Sequence, residues 1–144
     1  MLLKVMSQSI IIYKNIIKDT MYKTIPNCNE RYVHGMYEKL LLDINHLWIY
    51  FNKDNQAEVV IITTVNKDYY NFNNILTIIS LYAPDGTSID SLKDIYRLLT
   101  PFAKKHNCHK AEYLVTNPLA ERLFKKLGYS FKASYYQIDA FKED

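Results

Sequence analysis

Between Ala111 and Tyr129 a short apolar stretch, Ala111 to Thr116, runs straight into Asn117-Pro118, and an amphipathic stretch follows that stops at Gly128. Asn at an N-cap with Pro at the first helical position starts a helix well, because Pro lacks an N–H that would be orphaned there anyway. Gly just past the last apolar residue ends one well. The run therefore predicts a strand followed by a helix from Pro118 to Leu127, and then a last strand from Tyr129 to Ile138. Chains built from such alternating units fold as layers of helix on sheet.

The rest of the chain extends this pattern. Ser7 to Met21 carries Ile10, Ile11, Tyr13, Ile16, Ile17 and Met21 near one helical face, with Ser7 or Ser9 as a cap. Ile10 to Tyr13 also reads as a strand, and the two readings stay open. Met1 to Met6 has room for one short strand. Lys23 to Asn29 reads as a loop. Glu30 to Asn45 reads as a second helix, with Val33, Met36, Tyr37, Leu40, Leu41 and Ile44 on one face. His46 to Phe51 and Ala57 to Val65 are aromatic and β-branched, and Lys53 to Gln56 joins them as a β-hairpin. Lys67 to Asn74 is a polar, aromatic loop. Ile75 to Tyr82 is almost continuously apolar, which suits a strand buried on both faces.

Ala83-Pro84-Asp85-Gly86 is a turn signal. Ser88 to His106 is the clearest helix, with Ile89, Leu92, Ile95, Tyr96, Leu99 and Phe102 at helical spacing and Ser88 or Asp90 as cap. Pro101 predicts a kink or break near Leu99. The fold class expected is α/β (α+β), a mixed β-sheet flanked by helices. Its central βαβ unit joins Ile75–Tyr82 to Ala111–Thr116, with the two strands parallel or splayed.

A length of 144 residues predicts one domain, spanning 1–144, with a real core. A formal net charge of +3, with Lys far outnumbering Arg, gives no strong nucleic-acid signal. Lys104-Lys105 and Lys125-Lys126 read as solvated faces. No stretch has the apolar length of a membrane span, and the first residues do not make a signal peptide. Cys28 and Cys108 have neither metal nor disulfide-framework spacing. The expectation is a soluble cytoplasmic protein with no metal site. Abundant Ile, Lys, Asn and Tyr with little Gly points to an AT-rich coding genome, cellular or viral.

The run Asn117, Ala120, Phe124, Gly128, Tyr129 resembles the pattern N-x-x-A-x-x-x-[YF]-x-x-x-G-[FY] of the GCN5-related N-acetyltransferase (GNAT) superfamily, and the element order is similar from about Glu30 to Ile138. The resemblance implies a GNAT-like fold with acetyl-CoA as cofactor if the protein is active. It places cofactor-binding residues at Tyr82, Gly86, Thr87, Ser88 and Asn117. In the family, the strand matching Ile75–Tyr82 ends in a loop [QR]-x-x-G-x-[GA] whose amides hold the CoA pyrophosphate at a helix N-terminus. Here Pro84 to Leu92 lacks the leading Gln or Arg, and Ser88 and Asp90 stand where the last two small residues would align. Gly86, Thr87 and Ser88 still offer amides and hydroxyls. The competing reading is a Pro-Asp-Gly turn followed by a capped helix.

Acyl transfer needs a base for the amine and an acid for the thiolate. The family's Tyr acid aligns with Phe124, which donates no proton. Tyr129, Tyr135 and Tyr136 are substitutes, though each also reads as strand or core packing. Glu58 and Glu112 are candidate bases, each weighed against an outward-facing strand carboxylate. His106 and His109 flank Cys108 in what reads as a surface loop, without a third orienting group for a Cys–His nucleophile. The alternative to an acyl-CoA-dependent N-acyltransferase is a GNAT-like module that has lost catalysis, as among bacteriophage proteins including virion components. It would bind a protein partner or form a homo-oligomer, and Asp68 to Asn74 is a candidate contact loop.

Overall fold

The computed structural model describes residues 1–68, 72–113 and 125. The strands are β1 (Leu2–Lys4), β2 (Asn45–Phe51), β3 (Ala57–Lys67), β4 (Asn74–Tyr82) and β5 (Cys108–Tyr113). The helices are α1 (Lys14–Thr24), α2 (Glu30–Leu41) and α3 (Ile89–Lys105), with a 3₁₀ turn at Ser7–Tyr13. One sheet runs β1-β2-β3-β4-β5, so its spatial order is its chain order. The first four strands pair antiparallel, and β5 joins β4 parallel. That makes a mixed sheet with a β4–α3–β5 crossover, as expected from the sequence.

Alternation along the strands separates two cores. Leu47, Ile49 and Ile62 face α1 and α2 and pack with Ile10, Ile17, Met21, Val33 and Leu40. Trp48, Tyr50, Val59, Ile61, Leu76 and Ile78 face the other way, toward Leu92, Ile95 and Leu99 of α3. The near-continuous apolar run of β4 follows from this double burial.

Helix ends are set by local chemistry. Asn29 caps α2 by accepting the Tyr32 N–H, and Glu30 lies in the first turn, where a carboxylate favours the helix dipole. The helix stops at Leu41, not at Asn45. Asp43 adopts φ 57°, Ile44 N–H reaches the Lys39 carbonyl at 2.9 Å and Asp43 N–H reaches the Leu40 carbonyl at 3.2 Å. These two bonds are the Schellman pattern, with Asp43 in the left-handed position. Asn45 then belongs to β2.

Several other expectations are corrected. Ser7 to Met21 is not one helix. Ser7–Tyr13 is 3₁₀, neither Ser7 nor Ser9 is its cap, and α1 starts at Lys14. The triplet Ile10-Ile11-Ile12 cannot place all its side chains on one helical face. Ile10 is buried while Ile11 and Ile12 stay exposed. Helix α3 runs unbroken through Pro101. Leu99 and Phe102 on either side are held in the α3-facing core, and this packing outweighs the lost hydrogen bond. Strand β5 begins at Cys108, so Cys108 and His109 lie in the sheet and not in a surface loop. The polar triplet Cys-His-Lys hid this start. The expected strand residues Leu114–Thr116, the Pro118–Leu127 helix and the final strand lie outside the described residues, apart from Lys125, which is helical.

An aromatic cluster joins β2 to the end of α3. Phe102 sits 4.9 Å from the His46 ring, 5.0 Å from Trp48 and 4.3 Å from His106, centroid to centroid. His46 is 6% exposed, and its Nδ1 has no hydrogen-bond partner among the described residues. Burial, and then the nearby Lys4 ammonium, push its pKa below the usual imidazole value. The folded state therefore resists protonation that the unfolded chain accepts near pH ~6.5. Stability from this group is full above that pH and falls as pH drops below it, toward the folded pKa. Urea unfolding from about pH 7.5 to about pH 5.5 will show wild type losing more stability than His46→Gln. In the same α3-facing core, Ile95 is fully buried. Ile95→Ala will cost about 2–5 kcal/mol by the same measurement.

Candidate functional site

The β4–α3 junction is where the sequence pointed to phosphate binding. Gly86 closes the turn that opens at Ala83, its N–H reaching the Ala83 carbonyl at 3.0 Å. Gly86 has φ +83°, a conformation that side chains disfavour, while a Cβ there would meet nothing within 4 Å. Backbone conformation, and not crowding, is what calls for glycine. Ser88 caps α3, its Oγ accepting the Ser91 N–H at 3.0 Å. Asp90 lies in the first turn and is not the cap.

The hydroxyls at this helix start are directed at one carboxylate. Thr87 Oγ1 donates to Glu58 Oε1 at 3.0 Å, and Ser91 Oγ donates to Glu58 Oε2 at 3.2 Å. Ser88 Oγ in turn donates to Ser91 Oγ at 3.1 Å. Glu58 comes from the start of β3 and is half-buried. It is therefore not an outward-facing strand carboxylate. An acidic group beside a helix N-terminus occupies the place an anion would favour. Nearby, the Tyr50 hydroxyl donates to Asp94 Oδ2 at 2.9 Å, and Arg97 also binds Asp94. The Arg97 guanidinium, and then Tyr50, hold the Asp94 carboxyl below its usual range. Burial, and then Asp94, push the Tyr50 phenol up.

The structure brings Glu58, Thr87 and Ser88 together, while Tyr82 ends β4 opposite Val60. Glu112 lies elsewhere. It pairs with Thr77, which pairs with Thr64, six residues along β3 from Glu58. At about 3.3 Å per residue that is roughly 20 Å from Glu58. Glu112 Oε1 is bound by Lys110 Nζ at 3.3 Å. Asn117, Tyr129, Tyr135 and Tyr136, with the motif residues Ala120, Phe124 and Gly128, lie outside the described residues.

Sequence reasoning missed two features. Ile79 is an extra residue in β4, since Ile62 pairs with Ser80 and Thr63 with Ile78. This bulge follows the last described β4–β5 pair, Ile78 with Tyr113. Beyond it, buried Ser80 meets Thr24 at the end of α1, Oγ to Oγ1 at 2.6 Å. Thr24 donates to the Thr20 carbonyl at 2.8 Å, so Ser80 is the donor to Thr24. This pair secures the end of α1 against β4. The bulge has no sequence signal in Ile78-Ile79. The second missed feature is Asp68, read only as loop and in fact buried, with His109 Nε2 at 3.4 Å from its Oδ2. Cys108 packs against the α3-facing core with its Sγ donating to the His106 carbonyl at 3.8 Å, whereas His109 Nε2 reaches Asp68. Burial pushes both the Cys28 and Cys108 thiols up, away from the reactive thiolate. Among the described residues no cluster of three metal-ligating side chains exists, and no helix is long and apolar enough to cross a membrane.

No protein-family model matches the chain, and no curated protein matches its sequence. Solved structures do match its shape. A predicted acetyltransferase from Clostridium acetobutylicum, solved with acetyl-CoA, aligns at TM-score 0.69 and 18% identity over 96% of this chain and 95% of that one. A ribosomal-protein-alanine N-acetyltransferase from Brucella melitensis biovar Abortus 2308 aligns at 0.69 and 11% over 96% and 98%. An aminoglycoside N-acetyltransferase in complex with CoA aligns at 0.69 and 12% over 97% and 95%. With the five-stranded mixed sheet and its β4–α3–β5 crossover, these likenesses show that the chain has the fold of the GNAT acetyltransferases.

Proposed function

We propose that this protein is a GNAT-fold domain that has given up acyl-CoA chemistry and works as a binding module for a protein partner or a second copy of itself. It would be an interaction or structural component of the kind met in virions. The observation that carries this reading is Glu58 at the start of α3, holding Thr87 and Ser91. A pyrophosphate placed there would meet a carboxylate in a partly desolvated site, where like charges repel strongly. The hydroxyls that could have formed an atypical cradle are already directed at that carboxylate or at the helix cap. Neither candidate base is idle, since Glu58 accepts two hydroxyl bonds and Glu112 is paired with Lys110. Exposed Ile11, Ile12, Leu42, Ile44 and Phe72 leave apolar surface for a partner.

A second reading keeps the enzyme, an acetyl-CoA-dependent N-acyltransferase. It is favoured by structural neighbours solved with acetyl-CoA or CoA that cover nearly the whole chain. In that case Glu58 would swing away when CoA binds.

Calorimetric titration separates the two. The expected result is no saturable binding of acetyl-CoA or CoA at about 1 mM ligand, and micromolar affinity would overturn the module reading. Removing the charge tests the cause. Glu58→Gln should bind CoA at least about tenfold more tightly than wild type if the carboxylate excludes the pyrophosphate. Glu58→Ala will lose about 1 kcal/mol of stability in urea, from two side-chain hydrogen bonds and a favourable charge at a helix end.

A further inference from the structure

The start of β2 carries a titratable side chain into the α3-facing core. His46 and Trp48 leave the same face of the strand. There the His46 ring meets Phe102 and, at 6.2 Å, the His106 ring. An imidazolium donates from both ring nitrogens. Nε2 is turned toward Asp43, 3.9 Å from its Oδ1, while the buried Nδ1 meets no acceptor among the described residues. The charged and titratable groups that face the ring are Lys4 from β1, Asp43 from the turn before β2 and His106 from the end of α3. Of these only Asp43 is anionic, and Lys4 Nζ already holds its Oδ1 at 3.1 Å. The same ammonium stands 5.9 Å from the centroid of the Phe102 ring. A cation at His46 therefore brings like charge and an unmet N–H to the point where the end of α3 rests on β2.

The last turn of α3 also holds the start of β4. The His106 carbonyl accepts the Asn74 side-chain N–H at 2.8 Å, and the Asn107 carbonyl accepts the Asn74 backbone N–H at 3.3 Å. We propose that His46 is a pH-sensitive latch on this turn. Neutral, it lets Phe102 seat the C-terminal turn of α3 on β2. Protonated, it releases that turn, and with it the anchor on Asn74, while the rest of the fold stands. The release is local because α3 is held unequally along its length. Leu92, Ile95 and Leu99 are buried in the core, whereas Phe102 and His106 are half-buried. Such an opening is distinct from the loss of overall stability that the same titration causes. Burial favours the neutral ring, so release comes below the pH at which a free imidazole titrates.

The test follows Trp48, the single tryptophan of the chain, which lies buried against Phe102. Acrylamide quenching of its emission reads access, and far-UV circular dichroism reads the fold, in the intact protein from about pH 7.5 to about pH 4.5. The expected result is a quenching constant that rises about threefold while the circular dichroism is retained. The Asn74 amide resonance should shift with the same midpoint as the His46 ring. His46→Gln should abolish the rise. His106→Gln should keep it, and this variant answers the question if His46→Gln does not fold. Quenching that stays flat until the circular dichroism is lost, a midpoint different from that of the His46 ring, a rise that persists in His46→Gln, or a rise lost in His106→Gln would each overturn the proposal.

Discussion

Everything in this fold depends on strands β2, β3 and β4 being covered on both faces. Isolated, a sheet of Leu47 to Tyr50, Val59 to Ile62 and Leu76 to Ile78 would expose two apolar surfaces. The fold closes one with α1 and α2 and the other with α3. The hydrophobic effect makes both closures necessary and is indifferent to which residues provide them. This is why an element order can persist with solved structures at 7–18% identity.

The same indifference separates fold from chemistry. The β4–α3 turn is needed to bring α3 back over the sheet, whatever it binds. Its Pro84-Asp85-Gly86 turn and Ser88 cap meet that need with local hydrogen bonds. A phosphate cradle asks for more, namely amides and hydroxyls left pointing outward. Here Thr87 and Ser91 point at Glu58 instead. Ser88 caps the Ser91 N–H of this helix start, and a fold shared with acetyltransferases carries no guarantee of their activity.

Legibility in the sequence followed the range of the interactions. The β2–β3 hairpin was readable because Asn52 to Gln56 settles its own turn. Asn52 Oδ1 accepts the N–H groups of Asp54 and Gln56, and Asn55 adopts φ 57°. The α3 cap at Ser88 was readable for the same reason. By contrast, the helix expected to continue to Asn45 was ended by a left-handed Asp43, a residue type that tolerates this geometry but does not announce it. The kink expected at Pro101 reflects a real local penalty, yet Leu99 and Phe102 are fixed by partners on β2 that no local window contains.

The sequence by itself determined the start of α3, the turns at Asn52 to Gln56 and Ala83 to Gly86, and most of the alternation of strand and helix, because each rests on residues a few positions apart. Only the tertiary structure decided which side chains far apart in the chain meet. Glu58 stands 29 positions from Thr87, and pairing of β3 with β4 is what carries its carboxylate to the start of α3. Lys14 and Tyr37 likewise meet only because α1 and α2 pack side by side on the sheet. Charge and hydrogen bonding act through space at a few ångströms, and the chain sets those distances only once it is folded.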